Sequence, residues 1–172
     1  KLTVRHQRLL EHLSTVVFEL NSDGEITFLN SAWQQLTGRE LKSTLNTPLL
    51  NHISQEHDES HQLVRESLTD LLSLKSSFVT IEFKLQHVYQ QEVWVEARFD
   101  ACVEGGELSI TGTIDNINDR KLAEFKLQHL AMHDTLTGLY NRHYFDNELN
   151  QHCHTATRYK IDHSLLYIDL DN

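Results

Sequence analysis

The sequence predicts an α+β fold: a five-stranded antiparallel sheet with helices on one side, followed by the truncated opening of an α/β domain. Three observations lead there. Stretches between Phe78 and Ile114 alternate apolar and polar residues with period two, the mark of a sheet with one packed face. Two shorter strand-like runs precede them, separated by helical segments. Near the last residue, "SLLYIDLD" is apolar without alternation and ends in acids, as a strand buried on both faces would.

The elements follow in order. Leu2, Leu9 and Leu13 fall on one helical face, and the positions 2, 6, 9 and 13 have heptad spacing that His6 interrupts. A short flanking helix and a coiled-coil arm both fit that pattern. Val16–Leu20 and Ile26–Leu29 read as a hairpin around Ser22-Asp23-Gly24. "SAWQQLTG" reads as a helix with Ser31 as N-cap and Gly38 as its stop. Pro48 limits the next stretch to short pieces. "HDESHQLVRESLTDLLSL" is a longer helix whose apolar side is expected to comprise Leu63, Leu68, Leu71, Leu72 and Leu74.

Three strands come next. Val79, Ile81, Phe83 and Leu85 share a face, as do Val93, Val95, Ala97, Phe99 and Ala101, and then Leu108, Ile110 and Ile114. Gly105-Gly106 turns the chain between the last two strands. A helix from about Asp119 to Met132 carries two apolar seams, Leu122, Phe125 and Met132 on one side and Ala123, Leu127 and Leu130 on the other. Such a helix needs two partners, of which one can be a second copy of the chain. "NRHYFDNELNQH" continues helically. A central strand without neighbours cannot stand alone, so the expected division is a flanking helix over 1–14, a first domain over 15–118, a linking helix over 119–133 and the N-terminal fragment of a second domain over 134–172.

Composition narrows the function classes. The chain has 172 residues with 39% hydrophobic and 23% charged, enough for a real core. A net charge of -10 repels phosphate backbones and anionic lipid, so no nucleic acid is expected as a partner. No apolar run is long enough to span a membrane. Cys102 and Cys153 are far apart and suggest reduced thiols in the cytoplasm. The chain opens on Lys1, so a membrane anchor upstream in a longer parent stays open.

The first domain resembles a PAS domain. The residues that carry the likeness are the element order, "NSAWQQLTG" after the first hairpin, and the exit "GTIDNINDRKLAE". The exit matches an Asp-Ile-Thr-Glu-Arg-Lys-like stretch at Asn116, Ile117, Asn118, Asp119, Arg120 and Lys121, with amides at the usual carboxylate and hydroxyl. The resemblance implies a sensory and dimerising module with a possible small-molecule ligand. "DTLTGLYNRHYF" followed by "LLYIDLDN" resembles the start of a GGDEF domain, the catalytic module of diguanylate cyclases. Asp134, Leu136, Thr137, Gly138, Leu139, Asn141, Arg142 and Phe145 match its pattern, and His143 replaces an arginine.

This second resemblance implies that the intact parent is a homodimer converting two GTP into cyclic di-GMP. It implies Mg²⁺ held by the Asp169 carboxylate and the Leu170 backbone carbonyl, a hard-oxygen pair at a strand end. It also implies that Leu136 lines the guanine pocket, while Asp134 and Arg142 are expected to pair and shape the turn. The loop that names the family is absent, so the fragment itself should be inactive. Two other readings stay open: a degenerate GGDEF domain that only binds nucleotide or a partner, and a redox-sensing PAS domain. For the latter, His57 and His61 have helical i, i+4 spacing that could serve haem, and Trp33 or Trp94 could touch flavin, although a solvated histidine pair and a core tryptophan are the commoner outcomes. Trp94 shares a strand face with Glu96, Arg98 and Asp100, a partly covered outer face. The adjacent His152, Cys153 and His154 point in different directions and make a poor metal site.

Overall fold

A computed structural model describes residues 10–54, 58–89 and 91–168. The chain divides into two compact units, Lys1–Lys121 and Leu122–Asn172. The predicted N-terminal helix falls mostly outside the described residues.

In the first unit, β1 (Val16–Leu20) and β2 (Ile26–Leu29) form the expected hairpin. Short helices α1 (Ala32–Thr37) and α2 (Leu41–Thr44) and a 3-10 turn (Leu49–His52) follow, then the longer α3 (Asp58–Leu72). The strands β3 (Phe78–Gln86), β4 (Glu92–Glu104) and β5 (Glu107–Asn116) complete an antiparallel sheet in the order β2-β1-β5-β4-β3. The first strand therefore lies inside the sheet, between β2 and the last strand, which is central. Thr15, just before β1, donates its hydroxyl proton to Asp115 near the end of β5, so incoming and outgoing segments start on neighbouring strands.

Alternation decides the core. Phe83, Leu85, Val95, Ala97, Phe99 and Ile110 are buried on the face that packs against the helices. Phe18 of β1 meets Phe99 edge to face at 5.2 Å between ring centroids. Gly112 makes that contact possible: a Cβ there would lie 2.0 Å from the Arg98 carbonyl oxygen and 2.7 Å from the Phe18 ring.

The helices depart from the sequence reading in detail. Gly38 does stop α1, at φ 71, with its N–H donating to Gln34 O. Ser31 does not cap it: its backbone is already helical, and its hydroxyl donates to Glu11 O instead. Helix α3 buries Val64, Leu68 and Leu71, a narrower stripe than expected. Leu63 lies one position off that stripe, and Leu74 lies beyond the helix end at φ 56; both are exposed.

Helix α4 (Asn118–Met132) begins in the first unit, and α5 (Arg142–Tyr159) belongs to the second. Neither has a buried residue. Both predicted seams of α4 are open, Leu122, Phe125, Leu127 and Leu130 all being exposed. The expected buried strand does not form among the described residues: 161–168 have no regular structure, and Leu166 and Tyr167 are 80% and 87% exposed. A strand exists only by pairing, and no described strand of this unit runs beside these residues.

Candidate functional site

Three features of this chain can carry chemistry or a signal. The first is a polar cluster inside the helical layer. Trp33 is fully buried and donates its indole N–H to Thr44 Oγ1 at 3.3 Å. The His52 ring packs edge-on against it, with centroids 5.5 Å apart. Thr47 Oγ1 gives its one proton to Thr44 O at 2.6 Å, so it must accept from His52 Nε2 at 2.8 Å. That fixes the neutral tautomer and leaves the Nδ1 lone pair without a partner among the described residues. Burial first, and then the charge of Arg39, push the His52 pKa down to about 4.

The second feature is the anchor of the exit helix on the outer face of the sheet. Glu82 and Glu96 stand directly opposite each other on β3 and β4, which alone would repel. The Arg120 guanidinium bridges them, 2.6 Å from Glu82 and 3.2 Å from Glu96, and Lys121 Nζ lies 2.5 Å from the other Glu82 oxygen. The Lys121 ammonium, by hydrogen bond and then by charge, holds the Glu82 carboxyl below its ordinary range. Trp94 ties the same corner through its backbone: its N–H donates to Asn118 Oδ1, and its carbonyl accepts from Ile117 N, each at 2.9 Å. Asn116 Oδ1 accepts from Asn118 N. The two amides that replace a carboxylate and a hydroxyl at this exit thus serve as acceptors at the start of α4.

The Trp94 ring also lies between two ammonium groups. Lys121 Nζ is 5.0 Å from its centroid, and Lys84 Nζ, on the residue directly opposite in β3, is 5.2 Å away. The outer face is therefore partly covered at Trp94, as the sequence reading expects.

The third feature is the turn between α4 and α5. Asp134 Oδ1 accepts from the Thr137 hydroxyl at 2.8 Å, from Thr137 N at 2.9 Å and from Leu136 N at 3.2 Å. Those bonds from Thr137, hydroxyl before amide, hold its carboxyl below the usual range. Gly138 takes φ 71, a left-handed conformation suited to glycine. Asn141 joins the two helices: its Nδ2 donates to Ala131 O at 2.8 Å, and its Oδ1 caps α5 by accepting from Tyr144 N at 2.9 Å. The expected Asp134–Arg142 pair is not made. Asp134 is satisfied within its own loop, and Arg142 faces Asp146 one helical turn on, at 3.8 Å. The rings of His129, His133, Tyr140 and Tyr144 stack in a column across this turn, with centroids 3.9, 4.6 and 3.9 Å apart.

The sequence-predicted site residues are placed unevenly. Asp169 and Leu170, expected to hold the metal, lie outside the described residues, as does His57. Leu136 is 91% exposed at the tip of the turn. Trp33 is core. His152 faces Glu148 at 3.5 Å and the His163 ring at 5.0 Å, and no group of three metal-ligating side chains occurs among the described residues. Sequence reading missed Asn30, which is buried and donates to Leu10 O and Thr15 O while accepting from Val17 N. An asparagine directly after a strand is the signal that could have found it.

Comparison with known proteins matches residues 5–117 to the family described as PAS fold, and residues 131–172 to the family described as diguanylate cyclase, GGDEF domain. Among curated relatives, Sporulation kinase C of Bacillus subtilis is 29% identical over 74% of this chain and 29% of its own length. The uncharacterized protein y4lL of Sinorhizobium fredii is 24% identical over 97% of this chain and 21% of its own length. The chain thus spans less than a third of either relative. Among solved structures, the PAS domain of a Colwellia psychrerythraea protein superposes with a TM-score of 0.58 at 13% identity, covering 67% of this chain and 97% of that one. An RNA-binding light-oxygen-voltage receptor superposes with a TM-score of 0.62 at 15% identity, covering 72% of this chain and 35% of that one. At such identities these two likenesses carry the fold alone.

Proposed function

We propose that this chain, which belongs to the PAS fold family, is the sensory and dimerisation module of a diguanylate cyclase, and that the PAS unit regulates the pairing of two catalytic domains through α4. One observation carries the reading. Helix α4 leaves a PAS sheet under an ionic and hydrogen-bonded anchor, keeps its apolar side chains exposed, and runs directly into the GGDEF match, which begins at residue 131 in its last turn. A helix with open apolar faces is a surface for a second copy, and a signal acts on it only by favouring one packing over another.

In this reading the whole protein joins two GTP into cyclic di-GMP and releases two diphosphates, each catalytic domain supplying half of the site. The turn residues order the opening of the second unit: Asn141 fixes the start of α5 against the end of α4, and Asp134 with Thr137 holds the loop that would present Leu136 toward the guanine. Asp169 and the Leu170 carbonyl supply hard oxygens of the kind Mg²⁺ takes; when bound, the ion neutralises charge at the reacting phosphate. The domain limits that go with this reading are 15–118 for the sensor and 134–172 for the start of the catalytic domain.

The test is to incubate the whole purified protein with GTP and Mg²⁺ and to follow cyclic di-GMP by mass spectrometry. Product is expected from the whole protein and not from these 172 residues. GTP binding without turnover would replace the cyclase by a nucleotide-binding signalling module. A visible absorption band on the purified PAS unit would point to a haem or flavin occupant instead.

A further inference from the structure

We propose that Ser54 is a coupling residue, linking the helical layer of the PAS unit to the exit helix through Glu92, Lys84 and Trp94. Ser54 is fully buried and follows directly on His52 and Ile53, whose side chains pack in the helical layer. Its backbone is pinned to the sheet, with Ser54 N donating to Lys84 O at 3.0 Å and Ile53 bridging to Leu85. Its hydroxyl crosses to the first residue of β4 and donates to Glu92 Oε1. The other Glu92 oxygen accepts from Lys84 Nζ at 2.6 Å, in a pair whose side chains are 17% and 21% exposed. The same ammonium lies over Trp94, whose other cation, Lys121, belongs to α4.

Each link has one group held from at least two sides. Glu92 Oε1 accepts from Ser54 and its Oε2 from Lys84. Lys84 divides its charge between Glu92 and the Trp94 ring. Trp94 divides its ring between Lys84 and Lys121. Such sharing makes the links dependent: changing one contact of a shared group changes the strength of its others. When the helical layer repacks and Ser54 shifts, Glu92 and Lys84 rearrange, and the hold of Trp94 on Lys121 changes with them. The described hydrogen bonds of Ser54 go to Glu92 and Lys84 and not to α4, so the route to the exit runs through these groups.

This deepens the reading of α4 as the output, yet its test needs no catalytic readout. In the full chain, amide hydrogen exchange over residues 117–121 is compared in four proteins: wild type, Ser54→Ala, Lys84→Met and the double variant. Ser54→Ala removes one hydroxyl, and Lys84→Met keeps the aliphatic stem over the indole. Exchange at the exit is expected to change at least about twofold in Ser54→Ala when Lys84 is present, and to be unchanged by the same substitution once Lys84 is methionine, because serial links are not additive. An equal effect of Ser54→Ala in both backgrounds, or none in either, overturns the coupling. Glu92→Gln is the second probe: it keeps the shape and removes the charge, and it too is expected to be silent in the Lys84→Met background. Exchange across β1 and β5 reports whether each variant keeps its fold. Coupling without cyclic di-GMP production by the whole protein would leave this inference standing and remove the cyclase reading alone.

Discussion

Acid should unlock the helical layer at His52, and the size of the effect follows from its surroundings. The ring is buried, its Nε2 proton is committed to Thr47, and its Nδ1 faces a site that burial and Arg39 keep hostile to charge. In the unfolded chain the imidazole titrates near 6.5; in the fold it does so at about 4. Between those values the unfolded state binds more protons, so stability is complete above the unfolded value and falls as the pH drops toward the folded one. The ceiling is about 3 kcal/mol at about 1.4 kcal/mol per pH unit, and about 2 kcal/mol of it is lost between pH 7 and pH 5. The assay is urea unfolding of the chain at several pH values, beside His52→Gln. The glutamine amide can reach Thr47 and does not titrate. The two proteins differ only at this position, so the difference between the two curves isolates His52. Wild type is expected to lose about 2 kcal/mol more than the variant over that interval. Equal losses would mean that the ring is not held neutral by the fold, and the tautomer assignment would fall with it.

Other predictions follow from single contacts. Gly112→Ala should destabilise the PAS unit by about 3 kcal/mol or more, read by thermal unfolding, because the new Cβ meets a backbone carbonyl that cannot move without breaking the β4–β5 ladder. Asn141→Ala removes both a helix cap and the tie to Ala131 and should cost about 1–2 kcal/mol, seen as faster amide exchange at the start of α5. Glu82→Gln should fray the first turn of α4 and leave the sheet intact, detected as faster exchange at 118–122 alone. Because the folded Glu82 carboxyl titrates below its ordinary value, its stabilisation is present above that value and is lost as the pH falls through the lower one. Acid should therefore reproduce the Glu82→Gln pattern in wild type but add little to the variant.

The sheet was legible in the sequence because period two is enforced by burial: moving Val95 or Phe83 by one residue would put it in water. The exit anchor was only half legible. Arg120 and Lys121 stand in a recognisable run, but their partners Glu82 and Glu96 lie on two other strands, and only the register of β3 against β4 sets them face to face. His52 was missed for a similar reason. Its meaning depends on Thr47, whose hydroxyl is oriented by the Thr44 carbonyl and reaches His52 through a turn around Pro48 that has no periodicity to read. The Asp134–Arg142 pair was expected from opposite charge alone, and local hydrogen bonds at the turn outcompeted it. The strand after Ser164 was read from apolar content, which marks residues that seek burial and does not itself provide a neighbour.

Helix α4 shows why the anchor matters more than its individual bonds. Starting a helix is costly, because the first turn fixes several residues for one hydrogen bond. An isolated helix of 15 residues is marginal in water for that reason. Here the first turn is held from outside: Ile117 and Asn118 are bonded to Trp94, and Arg120 and Lys121 to Glu82. The sheet thus meets the nucleation cost, and the remaining turns extend from it. The open leucines and Phe125 add stability only when something covers them. Helix formation and apolar pairing are then coupled through one anchor, so loosening Glu82 should weaken self-association of the chain although Glu82 lies outside α4. Analytical ultracentrifugation of Glu82→Gln against wild type measures this. Weaker self-association supports the coupling, and an unchanged association constant would mean that α4 is nucleated elsewhere.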